Sequence, residues 1–578
     1  MRFFIPEWDD RVDPGYNFFT DTHSDFHKED PAHNDAYMWD IFGVKDVPFD
    51  GVLVSLATLQ QSRSKYQEIL DKGIHKFLGL PQQFPIMADC GAFSYIKENE
   101  PPYKTKDVLK TYSDLGFNYG VSIDHLVVPA FKDQNKERMR ITYENGVQAF
   151  KIWRQKYRRD YQIIVAVQGA EVADYIRMYN HFLLRGIRHL AFGSLVRSPT
   201  PFISRLIDSL IEEIKTTKVV PEYLHFFGVA RCALFEKFHE LEDLGIDVAF
   251  DSSSYLRKAW LGAQTSQNNY ITNDWNGYTA IRIPQDIPKR VSATIDSQKY
   301  QTAAQACLQD LWKYDRGDLS LDQVMRTLEH FNILVEERSD LNHYYRRTLE
   351  DRPWNKCECP ICKKVGIDVA IFRGNNRNRR RGFHNVQVFY HTLKDPSRWD
   401  LAMKREDVEL DAVRSESSLD FLQNEKNVLI ITSCTKSKRG YDDSFSSQAQ
   451  DMYQGDLFKK VKSYSEAMGF DYVIISAKYG VLHPADSING YEMQLRTKLD
   501  VENIRPEVEQ KLRNILASYD NIVVIAGANY RRVLVNLLDD RFVFIKTKGI
   551  GDLVSIVGRA IPDKNKKLCD FEKENHNS

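Results

Sequence analysis

Three cysteines and one histidine near the middle of the chain form its most specific motif. Cys357, Cys359 and Cys362 lie within six residues, and His384 follows in the segment Gly-Phe-His-Asn. Three thiolates and one imidazole fill the four positions of a tetrahedral site, which is typical of a structural zinc and leaves no position for a catalytic water. We therefore expect one structural Zn²⁺ per chain. A redox-active cysteine cluster is the alternative.

Polar residues that could do chemistry end five short apolar runs in the first half of the chain. They are Asp89, Asp124, Gln168, Gly193 and Asp251. If these runs are parallel strands of a barrel, their carboxyl ends lie on one face, where barrel enzymes carry their active sites. The five residues are then expected to converge on one pocket. Any one of them alone could instead be a helix cap or a loop residue.

The elements that must position these residues follow a regular pattern. Eight apolar runs lie at residues 3–6, 52–56, 85–89, 120–124, 163–168, 189–193, 224–228 and 248–251. Amphipathic segments typical of helices lie between most of them. Buried strands that alternate with helices predict a parallel sheet, and eight repeats favour a closed α/β barrel of the (β/α)8 (TIM) type. An open doubly wound sheet is the alternative.

The pattern changes after the eighth run. We expect a catalytic barrel over residues 1–295, a helical and zinc-binding subdomain over 296–403, and a polar linker over 404–426. Apolar runs at 428–432, 472–476 and 522–527 predict a small Rossmann-like α/β domain over 427–560, whose strand ends carry Ser, Lys and Gly suited to an anion. Residues 561–578 are expected to form a flexible tail.

Five arginines lie between the last cysteine of the cluster and its histidine. They are Arg373, Arg377, Arg379, Arg380 and Arg381. Such a run is usual in a solvated loop. Beside a metal site and a catalytic mouth, arginines that can fork onto phosphates are instead expected to bind a nucleic-acid backbone.

Composition limits the compartment but not the partners. The eight cysteines include five scattered singly, which argues against a disulfide framework and for a reducing compartment, so a cytoplasmic location is expected. No apolar stretch predicts a signal peptide or a membrane span, and no membrane partner is expected. The formal net charge of −1 is uninformative about partners.

Together, these motifs resemble the tRNA-guanine transglycosylase superfamily, and more closely its DNA-acting branch, over about the first 400 residues. The segment Asp-Cys-Gly-Ala-Phe at 89–93 is similar to the family's Asp-Ser-Gly-Gly-Phe, and Phe-Asp at 250–251 to the segment with its nucleophile. Val-Gln-Gly at 167–169 and Phe-Gly-Ser-Leu at 192–195 match two further family motifs. Ala92 and Ser194 replace family glycines, so a changed pocket shape is expected.

The resemblance implies a base exchange through two displacements at one sugar carbon. Asp251 is the expected nucleophile and Asp89 the expected general acid and base. Asp124 is expected to accept from the guanine edge, while Gln168 and backbone N–H groups near Gly193 and Ser194 donate to its O6. Phe93 is a candidate to stack on the base, although core packing is the usual role of a single aromatic residue.

The resemblance also implies the partners. They are DNA with a flipped or single-stranded guanine, a free 7-deazaguanine base such as preQ0, and other DNA-modification proteins. The same exchange on tRNA and a non-catalytic nucleic-acid-binding scaffold are the two alternatives. The last domain, with Ser-Cys-Thr-Lys-Ser-Lys at 433–438, resembles the YaaA family, a likeness that implies little chemistry.

Overall fold

A computed structural model describes residues 1–561 except for 7–8, 197, 261–268, 290, 293–294, 337–340, 406–413, 417, 423–424, 497, 539–540, 546 and 548. The predicted tail, at 562–578, therefore lies outside the described residues. The chain divides into two compact units, one of residues 1–196 and 206–406, the other of residues 197–205 and 407–578. No helix in the described part of the chain is long and apolar enough to span a membrane.

The first unit contains a closed barrel of eight parallel strands in sequence order. The strands are β1 (Arg2–Ile5), β2 (Gly51–Ser55), β3 (Ile86–Asp89), β4 (Tyr119–Val121), β5 (Gln162–Val167), β6 (His189–Phe192), β7 (Tyr223–Phe226) and β8 (Asp247–Asp251). The barrel closes where Phe4 of β1 pairs with Asp251 of β8. Each predicted apolar run forms a strand, because a strand buried on both faces needs continuous apolar residues. The prediction of a closed barrel is confirmed.

Helices connect the strands of the barrel. They are α1 (Asp25–Glu29), α2 (Pro31–Asn34), α3 (Met38–Phe42), α4 (Leu56–Gln60), α5 (Arg63–Lys72), α6 (Ile74–Leu78), α7 (Thr105–Leu115), α8 (Asn135–Lys156), α9 (Val172–Leu183), α10 (Thr200–Thr217), α11 (Phe235–Asp243) and α12 (Ser254–Trp260). Helix α9 illustrates why these segments are helical. Its apolar residues recur at helical spacing, so that one face, with Tyr175, Met178 and Phe182, is buried.

A helical region with short strands completes the first unit. Its elements are β9 (Tyr270–Ile271), β10 (Gly277–Tyr278), β11 (Ile281–Arg282), α13 (Ser297–Arg316), α14 (Leu321–Leu334), α15 (Leu341–Asp351), α16 (Pro360–Val365), β12 (Ile371–Phe372), α17 (Gly374–Lys394) and α18 (Trp399–Arg405). Strand β9 pairs with β10, and β11 with β12. Helix α17 is almost entirely buried, so this region packs around it.

The second unit is a mixed α/β sheet with helices. Its elements are β13 (Arg414–Glu416), β14 (Val428–Ser433), β15 (Ser446–Gln448), α19 (Ala449–Met452), α20 (Asp456–Met468), β16 (Asp471–Ser476), β17 (Gly480–Leu482), β18 (Ser487–Asn489), α21 (Lys498–Leu516), β19 (Asn521–Ile525), α22 (Ala528–Val533), β20 (Phe542–Ile545) and α23 (Ile550–Ala560). The sheet order is β13-β20-β19-β14-β16-β17, in which only β17 is antiparallel to its neighbour. Strands β15 and β18 form a separate pair.

The segment predicted to be a linker contributes to this sheet. Residues Arg414–Glu416, within the predicted linker at 404–426, form β13 and pair in parallel with β20. An edge strand is hydrogen-bonded on one side only and needs few apolar residues, so a polar sequence can form one. Composition alone therefore did not separate this short edge strand from a linker.

Candidate active site and metal centre

Five predicted site residues lie at the carboxyl edge of the barrel. Asp89 and Asp251 are the last residues of β3 and β8, and Gln168 and Gly193 directly follow β5 and β6. Asp124 lies three residues beyond β4. The common direction of the strands brings these residues to the same end of the barrel, as the sequence predicts.

The carboxylate of Asp251 is fixed by two donors on a single oxygen. Its Oδ1 accepts from Nε2 of His225 at 2.9 Å and from the backbone N–H of Gly228 at 3.1 Å. His225 is fully buried in β7, and its Nδ1 lies 3.1 Å from the hydroxyl of Tyr223. In the described part of the chain Oδ2 receives no such bond, so this second oxygen keeps its capacity to contact a ligand.

Sequence reasoning missed His225. It lies inside an apolar strand, 26 residues before the aspartate that it contacts, and no local spacing connects the two residues. The available signal was a polar residue in an otherwise apolar run, one position before the strand ends. Because its partners are Asp251 and Tyr223, His225 serves to position the carboxylate.

The carboxyl of Asp89 has a strongly raised pKa. Burial raises its pKa from 3.8 to about 7, the negative charges of Asp124 and Asp251 add to this effect, and Ser55 and the backbone of Gly91 oppose it. Its Oδ1 is buried and has no hydrogen-bond partner among the described residues. A carboxyl with a pKa near neutrality can both give and take a proton at physiological pH.

Gly91 is required by the turn that follows Asp89. Its φ is +76°, in the left-handed region, and a Cβ there would overlap with the hydroxyl of Ser55. Ser55 ends β2 and pairs with Asp89 in the barrel register. The glycine therefore allows β2 and the loop after β3 to approach closely beside the acid.

Asp124 is buried among three polar partners from two segments. Its Oδ2 accepts from Nε2 of Gln168 at 2.6 Å, and its Oδ1 accepts from the thiol of Cys90 at 3.4 Å. The hydroxyl of Tyr95 donates to its backbone carbonyl at 2.9 Å. Burial raises the pKa of the Asp124 carboxyl, and the bond from Gln168 opposes that rise. Since a thiol is a weak donor, Oδ1 retains capacity for a stronger one.

Gln168 supports Asp124 rather than pointing freely into the pocket. It is fully buried, and its Oε1 accepts from the hydroxyl of Ser194 at 2.6 Å. A Cβ on Gly193 would overlap with Nε2 of Gln168, so this glycine makes room for the amide. The backbone N–H of Gly193 donates to Val167 at 3.0 Å. This N–H is therefore already engaged within the barrel, while the predicted role of the neighbouring backbone N–H groups in base binding stays a prediction.

Phe93 is an exposed aromatic residue four positions after Asp89. It lies in a short 3-10 helix, Ala92–Tyr95, and its side chain is 62% exposed. Tyr95 of the same turn is buried and bonded to Asp124. Of these two rings, only Phe93 is free to contact a ligand outside the core.

The four predicted metal ligands form one cluster. Their ligand atoms all lie within 4.8 Å of one another, so the cluster could hold a metal ion. The distances from Nδ1 of His384 to Sγ of Cys357, Cys359 and Cys362 are 3.6, 3.4 and 3.5 Å. Nε2 of His384 donates to the carbonyl of Ile271 at 2.8 Å, which leaves the lone pair of Nδ1 directed at the thiolates.

These distances fit a tetrahedral zinc site. With Zn–S and Zn–N bonds of about 2.3 and 2.0 Å, the sulfur–nitrogen edge of a tetrahedron is about 3.5 Å. Oxygen-preferring ions such as Mg²⁺ and Ca²⁺ are disfavoured by three sulfur ligands. Because the ligands come from the segment before α16, from α16 itself and from α17, a bound ion would join these elements.

The five arginines do not form the expected phosphate-binding loop. They lie in or next to α17, and four are buried, namely Arg373, Arg377, Arg380 and Arg381. Arg377 pairs with Asp21 and, at 2.7 Å, with Asp368. Arg381 donates to backbone carbonyls of Ala259, Val369 and Ile371.

The remaining arginines are likewise engaged within the fold. Arg373 pairs with Asp21, and Arg380 donates to the carbonyl of Asp13 at 2.7 Å. Arg379 is half-buried and pairs with Asp10 at 3.0 Å. The prediction that this run binds nucleic acid is therefore wrong for the four buried members, because their donors already hold the N-terminal segment and neighbouring loops against α17.

Comparisons with known proteins give a relative for each unit. A DNA-guanine transglycosylase from Salmonella montevideo is 30% identical over 434 residues, which cover 70% of this chain and 99% of that protein. Residues 428–551 match a family of unknown function, DUF6884.

Two further relatives match shorter parts of the chain. A UPF0246 protein from Rickettsia rickettsii (strain Iowa) is 27% identical over 162 residues, or 23% of this chain and 65% of that protein. The uncharacterized protein YfjM from Bacillus subtilis (strain 168) is 25% identical over 127 residues, or 20% of this chain and 83% of that protein. The UPF0246 match agrees with the YaaA-like resemblance of the C-terminal region.

Proposed function

The chain belongs to the family of the DNA-guanine transglycosylase, and from this premise we propose that it exchanges guanine in DNA for another base. The observation that carries the proposal is the set of carboxyls at the barrel edge. Asp251 is held by His225 and Gly228, while Asp89 has a pKa raised to about 7 by burial and by two neighbouring carboxylates. One fixed nucleophile beside one proton-exchanging acid is what a double displacement requires.

In the first displacement, Oδ2 of Asp251 attacks C1′ of the nucleotide. The bond between C1′ and N9 of guanine breaks, and an ester forms between the aspartate and the sugar. The protonated carboxyl of Asp89 gives its proton to the departing base, so guanine leaves as a neutral molecule. The bonds from His225 and Gly228 keep the carboxylate in line for this attack.

In the second displacement, the incoming base attacks the same carbon. Asp89, now a carboxylate, takes the proton from N9 of that base as N9 bonds to C1′, and the ester to Asp251 breaks. Both residues return to their starting states. The sugar has been inverted twice, so its configuration is retained. One glycosidic bond replaces another, so the exchange needs no nucleotide triphosphate.

Recognition of the base is assigned to Asp124. A carboxylate oxygen can accept from N1–H and the 2-amino group of guanine, and the thiol that contacts Oδ1 is a weak donor that a base could replace. Gln168 and Ser194 hold this carboxylate in place. The exposed ring of Phe93 offers a surface on which a base leaving its stack can lie.

The incoming base is proposed to be a 7-deazaguanine such as preQ0. A 7-deazaguanine presents the same N1–H, 2-amino and N9–H groups as guanine, so the site described for guanine serves both. The metal centre is assigned Zn²⁺, bound by Cys357, Cys359, Cys362 and His384. Such an ion supplies structural cross-linking alone, since protein atoms fill all four positions.

The test is a transfer experiment with two polymers and two labelled bases. Radiolabelled guanine and radiolabelled preQ0 are each incubated with plasmid DNA and, separately, with total tRNA, using the wild type and Asp89→Asn. The proposal expects both labels in DNA, none in tRNA, and none with the variant. Label in tRNA alone would assign the same chemistry to RNA. Label in neither polymer would favour a non-catalytic binding scaffold. Incorporation of labelled guanine but not of labelled preQ0 would exclude a 7-deazaguanine as the incoming base.

A further inference from the structure

A buried lysine without a counter-charge lies in the second unit. Lys438 is 6% exposed, and within the part of the chain that the structure describes its ammonium makes no hydrogen bond or ion pair. Its Nζ lies 4.3 Å from the ring centroid of Tyr491. Burial lowers its pKa, while Cys434 and the exposed Glu492 oppose this effect from a distance. A cation at the end of a largely buried side chain, with no ion-pair partner among the described residues, favours an anion that arrives from outside.

The position of Lys438 in the sheet is that of a ligand site. It belongs to the loop that follows β14, and β14 is where the connections of the sheet change direction, since β16 and β19 lie on its two sides. The loop after β14 contacts α22, the helix that follows β19, since the Cys434 thiol lies 3.0 Å from the hydroxyl of Tyr530. In open α/β sheets, ligands bind at the carboxyl ends of the strands at such a switch point.

Hydroxyl groups and a second cation surround the ring below the ammonium. The hydroxyl of Tyr491 shares hydrogen bonds with those of Tyr453 at 2.9 Å and Ser476 at 2.8 Å. Nζ of Lys478 lies 5.9 Å from the same ring and pairs with the exposed Asp443 at 3.1 Å. Two lysine ammonium groups therefore lie within 6 Å of the centre of one tyrosine ring whose hydroxyl is bonded to two others, and this combination suits an anion with several acceptor oxygens.

We propose that this place, formed by Lys438, Lys478, Tyr491, Tyr453 and Ser476, binds the phosphate group of a small molecule. The phosphate supplies the counter-charge of Lys438, and its oxygens accept from the ammonium and from the tyrosine hydroxyl. A small ligand is favoured over a nucleic-acid backbone because the lysine is almost completely buried. The terminal phosphate of a small molecule can reach such a side chain more easily than a phosphodiester that is flanked by nucleotides on both sides.

The unfolding temperature of a Lys438 variant distinguishes a role of this lysine in binding from a role in folding. Lys438→Met keeps the length and apolar stem of the side chain and removes the unpaired charge. Without ligand, the variant should therefore unfold at the same or a higher temperature than the wild type. If the lysine served folding alone, its removal would lower the unfolding temperature.

The experiment uses the full chain and inorganic phosphate as the probe, with binding measured by equilibrium dialysis and by the rise in unfolding temperature. Lys436→Met is the matched control, since Lys436 is exposed on the same loop. The wild type and the control should bind one phosphate per chain, and Lys438→Met should bind it about 10- to 100-fold more weakly, as expected for a lost charged hydrogen bond.

Competition identifies the kind of phosphate. A 5′-mononucleotide should displace inorganic phosphate, and a single-stranded oligonucleotide blocked at both ends should not. Equal binding by the wild type and Lys438→Met, equal losses in both variants, or no binding by the wild type would overturn the proposal. If the blocked oligonucleotide displaced phosphate as effectively as the mononucleotide, the site would bind a nucleic-acid backbone. That result would overturn the small-molecule assignment.

Discussion

Replacing Asp89 with asparagine should make the folded barrel more stable at neutral pH while it removes base exchange. The wild-type carboxyl has a folded-state pKa of about 7 against 3.8 ordinarily, because it is buried beside Asp124 and Asp251. Between these two pH values the folded state binds more protons than the unfolded state. The wild type therefore loses stability as pH rises from about 4 to about 7.

The size of this effect follows from the pKa. A tenfold change in an equilibrium constant is about 1.4 kcal/mol, so the charged carboxyl costs about 4 kcal/mol above pH 7 and about 2 kcal/mol at pH 5. Asparagine imitates the neutral acid at every pH. For a unit of about 400 residues, with an unfolding entropy of about 2 cal/mol/K per residue, the difference in Tm between variant and wild type should grow by about 3 °C from pH 5 to pH 8.

Calorimetric unfolding of both proteins across this pH range measures the difference directly. Asp46→Asn is the control, since Asp46 is exposed and its replacement removes a surface carboxylate. The difference between the control and the wild type should stay constant with pH. If the Tm difference between Asp89→Asn and the wild type were constant with pH, or became smaller as pH rose, the wild-type carboxyl would not be held in its neutral form. Its role as the acid would then be refuted.

Three further substitutions test the parts that support the site. His225→Leu removes one of the two donors to Asp251 and should lower the rate constant of exchange by about 100-fold with little change in KM, as steady-state kinetics would show; an unchanged rate would exclude a positioning role. Cys362→Ser should reduce bound zinc, measured by elemental analysis, from one ion per chain, whereas Cys307→Ser, a buried cysteine outside the cluster, should retain it; equal zinc in both would contradict the assigned centre. Arg377→Ala removes the ion-pair partner of the buried Asp368 and one of the two arginine partners of Asp21, so it should lower the free energy of unfolding by about 3–5 kcal/mol while the salt dependence of DNA binding stays the same; a flatter salt dependence would restore a phosphate contact.

The sequence predicted the barrel because buried parallel strands are continuous apolar runs. Runs such as that at 163–168 are separated by amphipathic segments, and this alternation indicates both the parallel sheet and its helices. The edge strand β13 was missed because a strand paired on one side needs no apolar run. Local pattern therefore gave the interior strands but not the strand at the sheet edge.

Some residues of the site could be predicted from the nearby sequence, and others depend on contacts between residues that are distant in the sequence. The cysteines of the metal centre are close in sequence, and the barrel direction alone places Asp89 and Asp251 at one end. The role of His225 depends on a contact with a different strand, which no spacing reveals. The expected nucleic-acid contact of the arginines was wrong for the buried members because partners such as Asp21, which pairs with Arg373 and Arg377, lie more than 350 residues away in the sequence.

The most direct test of the account is to trap the sugar on the protein. Wild type, Asp251→Asn and Asp247→Asn are incubated with end-labelled guanine-containing DNA, denatured and separated by size, and the labelled peptide is sequenced. Asp247, at the opposite end of the same strand, is the control. The account predicts label on the wild type and on Asp247→Asn, in a peptide joined through Asp251, and none on Asp251→Asn. Label retained by Asp251→Asn, or a wild type that exchanges bases without ever carrying DNA, would contradict it.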